Sequence, residues 1–169
     1  GMAFTFLKAD GYEIGTSLLD EENLEFCTRI LKDYGDKIVL PVDVAVTTEY
    51  SNNEEYKVRS INEIEYNEMG LDIGPETKET FANHLKDAKT VIWNGPLGVY
   101  EFEKYKKHTD ELLQFLVDND IKTILGGGDI VAAAAAADLK EKVYHASTGG
   151  GATLEYLEGK ALPGIEAIK

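Results

Sequence analysis

Sulfur chemistry is nearly absent from this chain, which has one cysteine, Cys27. It cannot close an internal disulfide, and with no secretory pattern at the amino end this favours the cytosol. No apolar run approaches the length needed to span a bilayer. Positive charge is also scarce: 17 Lys and Arg stand against 31 Asp and Glu, a formal net charge of −14. Such a surface repels nucleic acid and anionic membrane, which argues against both as partners. An anionic small ligand is not excluded, because backbone amides and a bound metal neutralise phosphate locally. No Ser/His/Asp arrangement or metal-ligand spacing is visible. His84 and His108 lie on helical stretches dominated by Lys and Glu and are expected to face solvent. His145 sits in a strand-like run and reads as a satisfied core residue, as does Cys27 on the apolar face of a helix.

What is present suits one ordinary α/β domain of 169 residues. A short helix or buried turn covers residues 3–8. A clearer helix is capped by Asp20, carries Leu24, Cys27, Leu31 and Tyr34 on one face, and stops at Gly35. Apolar β-branched runs at 37–41 and 42–48 read as strand, 49–56 as loop, and 57–64 as a minor antiparallel strand. A strand at 69–74 ends in glycine, and Pro75 then suits the first position of a helix carrying Phe81 and Leu85 inward. Residues 90–93 are central strand by composition. An amphipathic helix follows, with Tyr105, Leu112, Leu116 and Val117 inward. Short strands alternating with helices predict an α/β fold with a mostly parallel sheet, whose ligands lie beyond the carboxyl ends of the strands.

Two units repeat one design. Residues 121–125 form a strand that runs into Gly126, Gly127, Gly128 and Asp129, followed by an alanine-rich helix at 130–137. A strand at 143–146 runs into Ser147, Thr148, Gly149, Gly150 and Gly151, followed by a helix at 152–157 that Gly159 stops. With the irregular loop at 94–99, these turns should share one edge of the sheet and line one cleft. Bare amides at a helix N-terminus hold phosphate. The Walker A lysine is missing after both triple glycines, and Val131 and Thr153 replace the third Rossmann glycine. The pattern is therefore phosphate at a helix end, without a standard fingerprint. Asp129 among such amides would repel phosphate unless a cation sat between them, so magnesium bridging Asp129 and nucleotide phosphates is expected. Leu97, Val99, Tyr100 and Glu101 suit a nucleoside, with the carboxylate accepting from a ribose hydroxyl. Composition favours a rim of ordinary core residues equally, and Trp93 reads as core.

MAFTFLKADGYEIGTSLLDE, LPVDVAVT, MGLDIGP, WNGPLGVYEFE, ILGGGD and STGGGATLEYLEGKALPG, in this order, resemble the carboxyl-terminal half of phosphoglycerate kinase. The resemblance runs from Gly1 to the end. It implies a three-layer Rossmann-like lobe, residues 1–169, truncated at its amino-terminal edge, belonging to a two-lobed cytoplasmic kinase. That family transfers a phosphoryl group between 1,3-bisphosphoglycerate and ADP, giving 3-phosphoglycerate and ATP in glycolysis. By motif, Gly70, Gly95, Leu97, Tyr100 and Glu101 hold the adenosine, and Gly1, if it is not a cloning remnant, lies beside the base. Asp129 is the magnesium-linked aspartate. Gly127, Gly128, Gly150 and Gly151 offer amides to the moving phosphoryl group.

One departure is Ile130, where the family has Ser or Thr. Weaker phosphate contact is expected there, with the backbone amides retained, and Ile130→Thr is expected to raise activity modestly. The GAKVADK-type segment and the 3-phosphoglycerate-binding lobe are absent, so this piece alone should bind Mg-nucleotide weakly and not turn over. A missing strand would leave a sheet edge open to self-association. The alternative is a non-catalytic nucleotide- or phosphate-binding module acting through a partner chain. A dinucleotide-dependent oxidoreductase is disfavoured by the broken Rossmann pattern.

Overall fold

The computed structural model describes residues 1–52 and 57–168, so part of the expected 49–56 loop lies outside the described residues. The chain forms two compact units, Gly1–Asn83 with Leu97–His108, and His84–Pro96 with Thr109–Lys169.

In the first unit, helix α1 (Met2–Ala9) buries Phe4, Thr5 and Leu7. Asp20 caps a 3-10 turn at Glu21–Asn23 by accepting from the Asn23 amide, and α2 (Leu24–Tyr34) follows. Cys27 is its buried residue, whereas Tyr34 at the end of the expected face is exposed. Helix α2 ends with Gly35 as its C-cap, as expected, and a further 3-10 turn, Gly35–Lys37, follows. The run at 38–41 is not strand, because it connects that turn to β1 (Asp43–Thr47), all of whose residues are buried. Strands β2 (Lys57–Ser60) and β3 (Met69–Ile73) flank β1, both antiparallel. The minor antiparallel strand expected near residue 57 is therefore present, and shorter. Among the described residues no helix lies between β1 and β3 to supply the crossover that a parallel pair needs. Phe4, Leu7, Ile14, Val44, Val46, Ile61 and Ile64 make the core on one side of the sheet.

Two buried carboxylates stitch this unit together. Asp43 accepts from the amides of Glu76 (3.1 Å) and Thr77 (2.7 Å) and from the Thr77 hydroxyl (2.6 Å). It thereby caps α3 (Pro75–Leu85), whose first residue is the expected proline. Glu68, 3 % exposed, accepts from Arg59 Nε (3.1 Å) and Nη2 (2.9 Å). That charge-assisted pair holds the Glu68 carboxyl below the usual carboxylate range.

The second unit is parallel. Strands β4 (Thr90–Asn94), β5 (Lys122–Gly126) and β6 (His145–Ser147) lie in the order β4-β5-β6. Here helices supply the crossovers: α4 (Lys107–Asp118) between β4 and β5, and α5 (Gly128–Ala136) between β5 and β6. Helices α6 (Gly150–Leu157) and α7 (Pro163–Glu166) complete the chain, the latter unanticipated. Leu112, Leu113 and Leu116 of α4 are buried with Leu125 and Ile130, each burial worth about 1.5–3 kcal/mol. The alanine run does what its small side chains permit, with Ala133 and Ala134 buried. β5, not β4, occupies the middle of this sheet, and Ile92 of β4 is 45 % exposed. The α/β class thus holds, with the parallel pairing confined to β4–β6.

Candidate functional site

The second unit gathers the three glycine turns. Registers Asn94↔Gly126 and Gly126↔Ser147 align the carboxyl ends of β4, β5 and β6, so every strand delivers its turn to one edge. Gly95 (φ +81°) and Gly127 (φ +126°) occupy backbone regions that L side chains rarely adopt. A Cβ on Gly150 would lie 3.1 Å from the Gly127 Cα, and one on Gly127 would lie 3.9 Å from the Gly95 amide nitrogen. The Asn94 side-chain amide donates to the Gly150 carbonyl at 3.3 Å, and the Trp93 indole donates to the Gly95 carbonyl at 2.6 Å. Trp93 is 8 % exposed and belongs to the core, as expected. Gly95, Gly127 and Gly150 therefore meet as bare backbone.

The helix ends at this edge differ in what they can offer. The Gly127 amide donates to the Ser147 carbonyl at 2.8 Å, and the Gly150 amide to the Thr148 carbonyl at 3.1 Å. These two amides, expected to meet a phosphoryl group, are engaged within the turns, and their glycines matter for close approach. Gly128 and Gly151 are the first and second residues of α5 and α6, where a helix has no carbonyl one turn back to accept from them. Asp129 is exposed in the first turn of α5. One exposed carboxylate at a cradle of backbone donors suits magnesium, which keeps most of its ligands as water and phosphate. Among the described residues no three His, Cys, Asp or Glu side chains converge to hold a metal without such help. Ile130 is wholly buried, so its side chain serves the core and only its backbone can serve a ligand.

The remaining expected contacts, Gly1, Gly70, Leu97, Tyr100 and Glu101, fall in the first unit. Glu101 is exposed and Leu97 and Tyr100 are half-buried. Gly1 lines a mostly apolar hollow of about 810 Å³ with Phe6, Leu18, Phe26 and Cys27, which the other four do not line. A Cβ on Gly70 would lie 2.1 Å from the Phe4 ring, so packing alone requires glycine there. Burial pushes the Cys27 thiol up, aided by the Asp20 charge, which keeps it an unreactive core residue.

Two histidine expectations are overturned. His108 does not face solvent: it is 4 % exposed, with Nδ1 2.8 Å from Asp72 Oδ2. Its partner lies 36 residues away on β3, a distance no helical periodicity reports. His145 is exposed, because the face of β6 that carries it, with Ile92 and Ile124, borders an apolar hollow of about 380 Å³. His84 is exposed as expected. No helix among the described residues is long and apolar enough to cross a membrane.

Comparison with known proteins follows the same line. The profile of the phosphoglycerate kinase family matches residues 1–160. The phosphoglycerate kinase of Staphylococcus epidermidis is 50% identical over 169 residues, covering 99% of this chain and 43% of the relative. That of Clostridium beijerinckii is 51% identical over 171 residues, covering 99% and 44%. Among solved structures, phosphoglycerate kinase from Coxiella burnetii superposes with a TM-score of 0.91 at 41% identity, over 98% of this chain and 44% of the other. The Pyrococcus horikoshii enzyme gives 0.84 at 28% identity, over 98% and 42%. The chain thus spans less than half the length of the relatives it matches.

Proposed function

Because the chain belongs to the phosphoglycerate kinase family, we propose that it supplies the Mg-nucleotide half of a reversible phosphoryl transfer. The reaction runs between 1,3-bisphosphoglycerate and ADP, giving 3-phosphoglycerate and ATP in the cytoplasm. Residues 1–169 act as one nucleotide-binding lobe. The acid substrate is held by a separate lobe, and 1–169 alone do not turn over. The observation that carries this reading is the convergence of Gly95, Gly127 and Gly150 at the carboxyl edge of a parallel sheet.

Phosphoryl transfer asks little covalent chemistry of a protein; it asks for position and for stabilised charge. The Gly128 and Gly151 amides, at the positive ends of α5 and α6, donate to phosphate oxygens. Gly127 and Gly150 let the ligand reach the backbone where a Cβ would stand in its way. Asp129 holds the magnesium that the nucleotide brings, and that metal offsets the charge of the phosphates when bound. Leu97 and Tyr100 lie against the nucleoside, and Glu101 accepts from a ribose hydroxyl. Strand β4 ends the β4-β5-β6 sheet, and an unpaired edge there favours self-association of this chain by itself.

Titration of the chain with ADP, with and without magnesium, tests the reading. Weak, magnesium-dependent binding is expected, and a coupled assay of the chain alone should show no turnover. Tight binding that ignores magnesium would contradict the role given to Asp129.

A further inference from the structure

The 97–108 stretch leaves β3 and returns to it, and the return is made by a buried contact between His108 and Asp72. At its start the Val99 amide donates to the Leu71 carbonyl at 2.9 Å. Gly98 packs so tightly that a Cβ there would lie 2.6 Å from Asp72 Oδ1 and 2.4 Å from the Tyr105 carbonyl oxygen. The stretch then folds on itself, with Phe102 donating to Val99 at 3.0 Å and Tyr105 to Phe102 at 2.9 Å. Val99, Phe102 and the fully buried Tyr105 pack with Ala45 and Leu71 of the sheet. At its end His108 meets Asp72 again, through Nδ1 at 2.8 Å and through its own backbone amide. The second oxygen of Asp72 accepts from the Ile73 amide at 2.8 Å. One carboxylate therefore touches both the beginning and the end of the excursion.

A pair like this is an expensive way to close a loop. Its side chains are 5% and 1% exposed, and apolar residues of similar shape pack such a place without desolvating a charge. What a hydrogen-bonded pair adds is one defined geometry, and the residues it constrains include Tyr100 and Glu101. We propose that Asp72 and His108 are positioning residues that fix the Leu97–Glu101 segment for the nucleoside part of the nucleotide. The inference rests on the nucleotide reading given above. Neither residue touches the ligand; each acts through the backbone of the excursion.

The test compares the chain with His108→Leu, Asp72→Leu and the conservative His108→Gln. Two ligands are titrated by NMR in magnesium: ADP, and inorganic pyrophosphate, which lacks the nucleoside. Amide exchange is followed at Val99 and Phe102, with Val44 and Val46 of β1 reporting that the sheet remains folded. In the two leucine variants ADP affinity should fall about tenfold, since small misplacements of a contact segment have large effects. Pyrophosphate affinity should hold, and exchange at Val99 and Phe102 should accelerate while β1 stays protected. His108→Gln, which keeps a donor, should restore ADP affinity to within about threefold. Equal losses for ADP and pyrophosphate, or faster exchange with unchanged ADP affinity, would overturn the proposal and leave the pair as a cap on α4. No ADP binding by the unaltered chain would overturn the nucleotide reading itself, and the pair's role in it, while the exchange data still report whether the pair orders the loop.

Discussion

The two units handle polar groups in opposite ways. In the first, the buried polar residues include three acids and a histidine, Asp43, Glu68, Asp72 and His108, each with a named partner. In the second, among the described residues, the buried polar side chains are the threonines Thr109 and Thr123, beside apolar residues and alanine. Its polar chemistry is carried by backbone, at turns where three glycines meet. Side-chain pairs fix distances between elements far apart in sequence, while the first-turn amides of α5 and α6 are left without an acceptor within their helices. One unit is built to hold geometry and the other to present donors.

Breaking a pair in the first unit should have the largest effect. Thr77→Val removes a hydroxyl that donates to Asp43 at 2.6 Å in a site with no exposure. The loss should be about 2–4 kcal/mol in denaturant unfolding, because a buried carboxylate loses a partner. A loss below about 0.5 kcal/mol, the size of an ordinary surface change, would end the claim that these pairs hold the unit. In the second unit, Ile130→Thr should lose about 1–2 kcal/mol by trading buried apolar surface for a hydroxyl. No gain in ADP affinity should accompany it, which revises the modest improvement expected from the family's usual hydroxyl residue; a tighter complex in the same titration would restore that expectation.

The contrast also explains what could be read from sequence. A strand, a glycine turn and a helix are consecutive residues, so the strand–glycine–helix units at Gly127 and Gly150 were legible from local chemistry. So were the buried Cys27 and Trp93 and the proline at the start of α3. The Asp72–His108 pair was not, because it joins β3 to α4 across 36 residues and the neighbouring lysines made His108 look solvated. The antiparallel pairing of β1 with β2 and β3 depends on which strands meet, and β-branched composition says nothing of direction. His145 looked buried because a strand was taken to have both faces covered, and one face of β6 is not.

Smaller effects sharpen the comparison. Gly150→Ala should cost about 1 kcal/mol of stability, since its new methyl would lie 3.1 Å from the Gly127 Cα, closer than ordinary contact, and the backbone there must give way. It should nonetheless weaken ADP binding, as the methyl stands in the cradle; unchanged affinity would place the ligand elsewhere.

Acid titration should separate the pairs within the first unit. The Arg59 hydrogen bond keeps the Glu68 carboxyl low, so its stabilisation is full above the ordinary glutamate range and is lost as pH falls through the depressed value. Burial pushes the Asp72 carboxyl up, against the smaller pull of His108. Ionised Asp72 therefore weighs against folding, and that penalty is relieved as pH falls through its raised value. Asp72→Asn removes the relief, so the variant should lose stability more steeply than the parent between neutral pH and the carboxylate range. Parallel unfolding curves across that range would show that burial does not dominate at Asp72.

The most direct measurement is a two-dimensional NMR titration of the chain with ADP in magnesium, repeated without the metal and with Asp129→Ala. Shifts should concentrate at the amides of Gly95, Gly127, Gly128 and Gly151, and should collapse in both controls. Shifts at those amides that persist without magnesium and in Asp129→Ala, or shifts confined to other parts of the chain, would contradict the account of the glycine cradle.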